Sequence, residues 1–149
     1  MITLKRGGVV ERLRELVAAK VPFVHQGRTV AGMDCIGALA YGFDYKGELP
    51  AYGPDPINGE LETELERLLG PPLMDIHRLH PLTTNEGLQE LDILSMQYRG
   101  PIRHVAIVVN HINLPGELSI VHTDAMVGRV TEHRLDAKWL RRIVKVWRP

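Results

Sequence analysis

The chain carries a single cysteine, Cys35, within Gly32-Met33-Asp34-Cys35-Ile36-Gly37, at the point where an apolar helix is expected to begin. A thiol at a helix N-terminus lies in the positive end of the helix dipole, which favours the thiolate that acts as nucleophile. Gly37, two positions on, allows another stretch of backbone to approach closely. The competing reading is that Cys35 is a small buried hydrophobe, as many cysteines are. A nucleophilic role therefore requires a base.

Seven histidines are available: His25, His77, His80, His104, His111, His122 and His133. His104 opens the most strand-like run of the chain, His-Val-Ala-Ile-Val-Val, where an imidazole can be aimed at a helix start packed against the sheet. His122 closes the following strand, Ser-Ile-Val-His-Thr. If residues 111 to 117 form a hairpin, the two strands are antiparallel neighbours with both histidines near one end. That is the arrangement of a base and the group that orients it. His111 is read as an exposed residue beside the turn and His133 as a polar surface position on a strand. His25, in the loop before Cys35, is a candidate for lining the cleft. His77 and His80 could share a helical face as a metal pair, but a third ligand is not evident. A zinc site built from Cys35, His104 and His122 ranks below nucleophilic catalysis, because one cysteine followed at long spacing by two histidines is no metal signature.

The elements that must position these groups follow from periodicity. Val9 to Lys20 has Val9, Leu13, Leu16 and Val17 at helical spacing, with Pro22 as the stop. A loop from Phe23 to Met33 leads to a second helix from Asp34 toward Tyr45, apolar nearly all round and so expected to be buried. The Gly-, Pro- and Tyr-rich stretch 47 to 56 reads as loop. Asn58 is a candidate N-cap for a helix over Gly59 to Leu69. Residues 71 to 90 give no clear element. Strands are expected over Asp92 to Tyr98, Ile102 to Asn110, Leu118 to Thr123, Val127 to Arg134 and Ile143 to Trp147, with turns at Gly100-Pro101 and Pro115-Gly116. Helices first and an antiparallel sheet second describe an α+β domain.

The bulk numbers bound the function. A length of 149 residues suits one domain, 1–149, that can bury a core without disulfides or metal. With 18 basic and 18 acidic residues the net charge is zero, which argues against a broad electrostatic grip on nucleic acid or anionic membrane. A local basic stretch, Lys138-Trp139-Leu140-Arg141-Arg142, is the exception. One cysteine excludes an intramolecular disulfide and four-cysteine zinc sites. No apolar run approaches membrane-spanning length, so no membrane insertion is expected. The first ten residues hold no signal-peptide core, so the expectation is cytoplasmic synthesis.

Taken together and in order, the Gly-Met-Asp-Cys-Ile-Gly helix start, the Asp-Ile-Leu strand, His-Val-Ala-Ile-Val and Ile-Val-His-Thr resemble the NlpC-type cell-wall cysteine peptidases. Pro22-Phe23-Val24-His25-Gln26-Gly27-Arg28 and Val130-Thr131-Glu132-His133-Arg134-Leu135 resemble the bacteriophage tail branch of that family. The resemblance covers residues 9 to 148. It implies a papain-like fold with N-terminal helices packed on a C-terminal antiparallel sheet, and no cofactor or metal. It implies Cys35 as nucleophile, His104 as general base and His122 as orienting residue. It places Asp34, Phe23, His25 and Gln26 on the substrate side, and the Cys35 backbone N–H in the oxyanion hole. The substrate it implies is the peptidoglycan stem peptide, cut between D-glutamate and a diamino acid. Other phage tail-tip proteins are the implied partners, and incorporation in a tail the implied route to the cell wall.

The chain departs from that pattern in three places. Phe23 stands where the family usually has a tyrosine, and its ring has no hydroxyl to donate to an oxyanion. Loss of one such donor costs about 2.7–4 kcal/mol in the reactions where it has been measured. Gln26 or His25 are the nearest alternative donors. Ile36 stands where many relatives have serine, and the connection between the two histidine strands is longer than a tight hairpin. Two further readings stand beside the peptidase: a phage tail assembly or structural protein with weak or no hydrolase activity, and a thiol acyltransferase on the same fold.

Overall fold

The computed structural model describes residues 2–49, 60–76, 81–97, 103–123 and 125–149. The expected Asn58 cap, the turn at Gly100-Pro101 and the His77–His80 pair lie outside the described residues.

Helix α1 spans Val9–Ala18, with Val9, Leu13 and Leu16 buried, as their spacing requires. Helix α2 spans Cys35–Gly42; every residue but Tyr41 is buried, in keeping with an apolar surface all round. Helix α3 spans Glu60–Leu69 and buries Leu61, Leu65 and Leu68. Two short strands, β1 (Arg28–Thr29) and β2 (Gly32–Met33), form an antiparallel ribbon before α2.

The second half builds a six-stranded sheet from β3 (Met74–Asp75), β4 (Ile93–Gln97), β5 (Arg103–Asn110), β6 (Leu118–His122), β7 (Thr131–Arg134) and β8 (Ile143–Trp147). Their order is β3-β8-β4-β5-β6-β7, and each neighbouring pair is antiparallel. The protein is α+β, with its helical layer drawn mostly from the first half of the chain.

Three departures from the sequence expectations have local causes. The strand expected from Val127 begins only at Thr131, because Gly128 adopts a left-handed φ of 81° inside an intervening turn. The unassigned stretch 71 to 90 contributes β3 at the sheet edge. The basic stretch near Lys138 folds into a short helix, α4 (Ala137–Leu140), capped by Asp136, which accepts a hydrogen bond from the Trp139 N–H at 3.1 Å.

Strand alternation divides the core in two. Val105, Ile107 and Val109 of β5 and Val121 of β6 pack with α1, α2 and α3. Ala106, Val108, Leu118 and Ile120 point to the reverse face, which Leu135, Leu140, Leu82, Leu88 and Trp139 cover. Ion pairs follow the same division. Arg103 meets Glu62 of α3 at 2.7 Å, without the alignment of a hydrogen bond. Arg14 of α1 holds Glu132 of β7 at 3.1 Å. Burying each large aliphatic side chain in these two layers contributes about 1.5–3 kcal/mol. No helix among the described residues is long and apolar enough to cross a membrane.

Candidate active site

Cys35 is the first residue of α2 and is 8% exposed. The preceding Asp34 is the N-cap: its Oδ1 accepts the Gly37 N–H at 2.8 Å. The other oxygen, Oδ2, accepts the Gln26 N–H at 2.9 Å, and Arg28 forms an ion pair with Oδ1 at 2.6 Å. The sequence expectation gave Asp34 to the substrate side. Instead its carboxylate is buried and turned inward, fixing the start of α2 and the loop over residues 26 to 28. The Asp-Cys-x-Gly spacing thus has a structural reason. A Cβ on Gly37 would stand 2.4 Å from the carbonyl oxygen of Gly27, so only glycine lets the loop lie against the helix start.

That loop is tied to the sheet at the end where β6 stops. Phe23 donates its N–H to the Gly128 carbonyl at 2.9 Å, and Val130 donates to Val21 at 2.8 Å. The segment leading to Cys35 therefore lies beside the connection that leaves His122. Phe23 is half-buried, and His25 and Gln26 are exposed. Gln26 adopts a left-handed φ of 56° and commits its backbone N–H to Asp34.

His104 and His122 lie on adjacent antiparallel strands, as the hairpin reading required. Both are buried, at 5% and 1% exposure. His104 Nε2 and His122 Nδ1 are 2.7 Å apart. The row continues beyond what the sequence suggested: His122 Nε2 is 2.7 Å from His133 Nε2, and His133 Nδ1 is 3.1 Å from the Arg134 carbonyl oxygen. His133, expected as a surface polar position, is thus half-buried and bonded to His122. Its pairing opposite Ile120 puts it on the same face as His122. Register is the signal that identifies it, and register was not legible from the residues. His111 lies beside the hairpin turn, as expected, where its Nδ1 accepts the N–H groups of Asn113 and Leu114, each at 3.1 Å.

The hydrogen-bond network assigns the tautomers. A carbonyl oxygen can only accept, so His133 carries its proton on Nδ1 and, when neutral, accepts at Nε2. His122 must then donate from Nε2 and accept at Nδ1. His104 in turn donates from Nε2, which makes its Nδ1 the basic nitrogen. Burial pushes the His104 imidazole down from 6.5 to about 3, with the charge of a protonated His133 adding to the effect. His104 is therefore a neutral imidazole throughout the physiological range, and with His133 neutral its lone pair is on Nδ1.

The three imidazoles sit on the sheet face of Ala106 and Ile120, whereas Cys35 belongs to the cluster that contains Val105 and Val121. The structure thus joins His104, His122 and His133 in one row, and Cys35 packs in the cluster of the opposite face. Trp139 of α4 closes the histidine face, its ring centroid 5.2 Å from His122 and 4.6 Å from His133. Arg142 lies over the Trp139 ring at 4.5 Å.

A cleft of about 700 Å³ is lined by Arg12, Gln26, Arg28, Tyr41, Asp44 and Lys46, among others. It shares Gln26 and Arg28 with the loop anchored on Asp34. Of its cations, Arg28 is paired with Asp34 and Lys46 with Asp44, while Arg12 bonds the carbonyls of Gly7 and Gly42. Among the described residues no group of three or more His, Cys, Asp or Glu is arranged to hold a metal ion. The three imidazoles bond one another in a row and do not converge on a common point. No protein-family model and no curated protein matches this chain.

Proposed function

We propose that the protein is a papain-like thiol hydrolase of the NlpC type that cuts peptide bonds in peptidoglycan stem peptides as a component of a phage tail tip. The observation that carries the chemistry is the 2.7 Å contact between His104 and His122, in a network that directs the basic nitrogen of His104 to Nδ1. The sequence motifs around Cys35, His104 and His122 carry the substrate class.

In this reading the Cys35 thiol gives its proton to His104 Nδ1 as the sulfur attacks the scissile carbonyl carbon. The resulting oxyanion takes a hydrogen bond from the Cys35 backbone N–H at the start of α2. As the carbon–nitrogen bond breaks, His104 returns the proton to the leaving amine, and the acyl group remains on sulfur as a thioester. Water then gives a proton to His104 and attacks the thioester. The carboxylate product leaves, and the sulfur regains its proton. His122 holds the imidazole in its tautomer through both halves. Arg12 in the cleft beside Gln26 bonds carbonyls rather than a carboxylate, and its charge supports a substrate that carries carboxylates, as stem peptides do.

The absence of a hydroxyl on Phe23 supports the second reading, a tail assembly or structural protein with weak or no hydrolase activity. The two are separated by incubating purified peptidoglycan with the native chain and with Cys35→Ala and identifying released peptides by mass spectrometry. Release by the native chain only supports the hydrolase. Equal release, or none from either, supports the structural role.

A further inference from the structure

The geometry points to His133 as a further positioning residue of the candidate active site, one that sets the tautomer of His104 through His122. This inference rests on the hydrolase reading for its catalytic consequence, but the proton arrangement it invokes does not. Three observations carry it. First, His122 Nε2 and His133 Nε2 are 2.7 Å apart, so one must donate and the other accept. Second, His133 Nδ1 faces the Arg134 carbonyl at 3.1 Å, which can only accept. With His133 neutral, the direction of every proton in the row is then fixed from its far end. Third, Trp139 packs against both His122 and His133, with interplanar angles of 55° and 46°, and holds the two rings in place.

The consequence is specific. With His133 as acceptor, His122 keeps its proton on Nε2, and His104 keeps its own on Nε2 and its lone pair on Nδ1. Without that acceptor, His122 is free to move its proton to Nδ1 and donate to His104. His104 then carries its proton on Nδ1 and cannot accept one from a thiol there. The row is a device for keeping a buried base in its working form, anchored on a backbone carbonyl in place of a carboxylate.

Two substitutions separate positioning from packing. His133→Phe keeps a ring against Trp139 but cannot accept from His122. His133→Gln keeps an acceptor oxygen. The tautomers are read by nitrogen NMR of ¹⁵N-histidine-labelled protein, which needs no activity. The expected result is Nε2-protonated His104 in the native chain and in His133→Gln, and a mixed or Nδ1-protonated state in His133→Phe. For Cys35-dependent hydrolysis of a stem peptide, His133→Phe is expected to lower kcat by roughly tenfold at unchanged KM, with His133→Gln recovering most of it. Unchanged tautomers in His133→Phe overturn the inference. So does a loss of rate that His133→Gln does not restore, since that marks packing alone, or a changed tautomer at unchanged kcat. If no chain hydrolyses the peptide, the hydrolase reading fails and takes the catalytic consequence with it, while the NMR still decides the proton arrangement.

Discussion

His104 and His122 face each other edge to face, with ring centroids 4.8 Å apart, an interplanar angle of 77° and a nitrogen–nitrogen contact of 2.7 Å. Both are buried, so the contact is not shared with bulk water and the two rings define one another's protonation. A His104 that bonds through Nε2 presents Nδ1 as its base. The pairing depends on the antiparallel register of β5 and β6, in which Ile107 lies opposite Val121.

Replacing His122 by Ala should therefore cost both stability and rate. The buried Nε2–H of His104 loses its acceptor, a cost of about 1–3 kcal/mol. Stem-peptide hydrolysis should lose roughly 10²-fold in kcat, because the base is no longer held in one tautomer. Urea unfolding and steady-state kinetics on the same preparation check the two parts. Full stability with full rate would show that the contact has no role.

Asp34 should behave as a structural residue, contrary to the role its motif implies. Asp34→Ala removes the N-cap of α2 and the anchor of Gln26 and Arg28, and should lower unfolding stability by about 1–2 kcal/mol. Asp34→Asn keeps an acceptor for Gly37 and should lose less. A variant of native stability with a raised KM alone would return Asp34 to the substrate.

The depressed pKa of His104 makes a statement about acid stability. Its imidazole binds a proton more readily in the unfolded chain, near 6.5, than in the folded one, near 3. Its contribution is therefore complete above about pH 6.5 and is lost as pH falls toward 3, at up to about 1.4 kcal/mol per pH unit. Urea midpoints measured between pH 7 and pH 4 should fall more steeply for the native chain than for His104→Gln. Parallel curves would contradict a buried neutral His104.

Much of this site was legible in the residues because the controlling physics is local. The start of α2 is written in Cys35 and Gly37: a thiol where an apolar run begins and a residue small enough for another stretch of backbone to approach. The strands carrying His104 and His122 declare themselves by runs of β-branched residues. The inward turn of Asp34 was not legible, because it depends on Arg28 and the Gln26 N–H arriving from a loop with no periodicity. His133 was missed because its place in the row follows from pairing opposite Ile120, and register is set by the whole sheet. The strands β1, β2 and β3 have two residues each, too few for any alternation to show. Helix α4 has four residues, close to one turn, and only its Asp136 cap marks it.

The central claim is that Cys35 is a nucleophile served by His104. It is tested most directly by digesting purified peptidoglycan with the native chain, Cys35→Ala and His104→Ala, and reading the released peptides by mass spectrometry. Stem-peptide fragments ending at a D-glutamyl carboxyl are expected from the native chain, and none above background from either variant. Equal release from all three, or no release from a folded native chain, would contradict it.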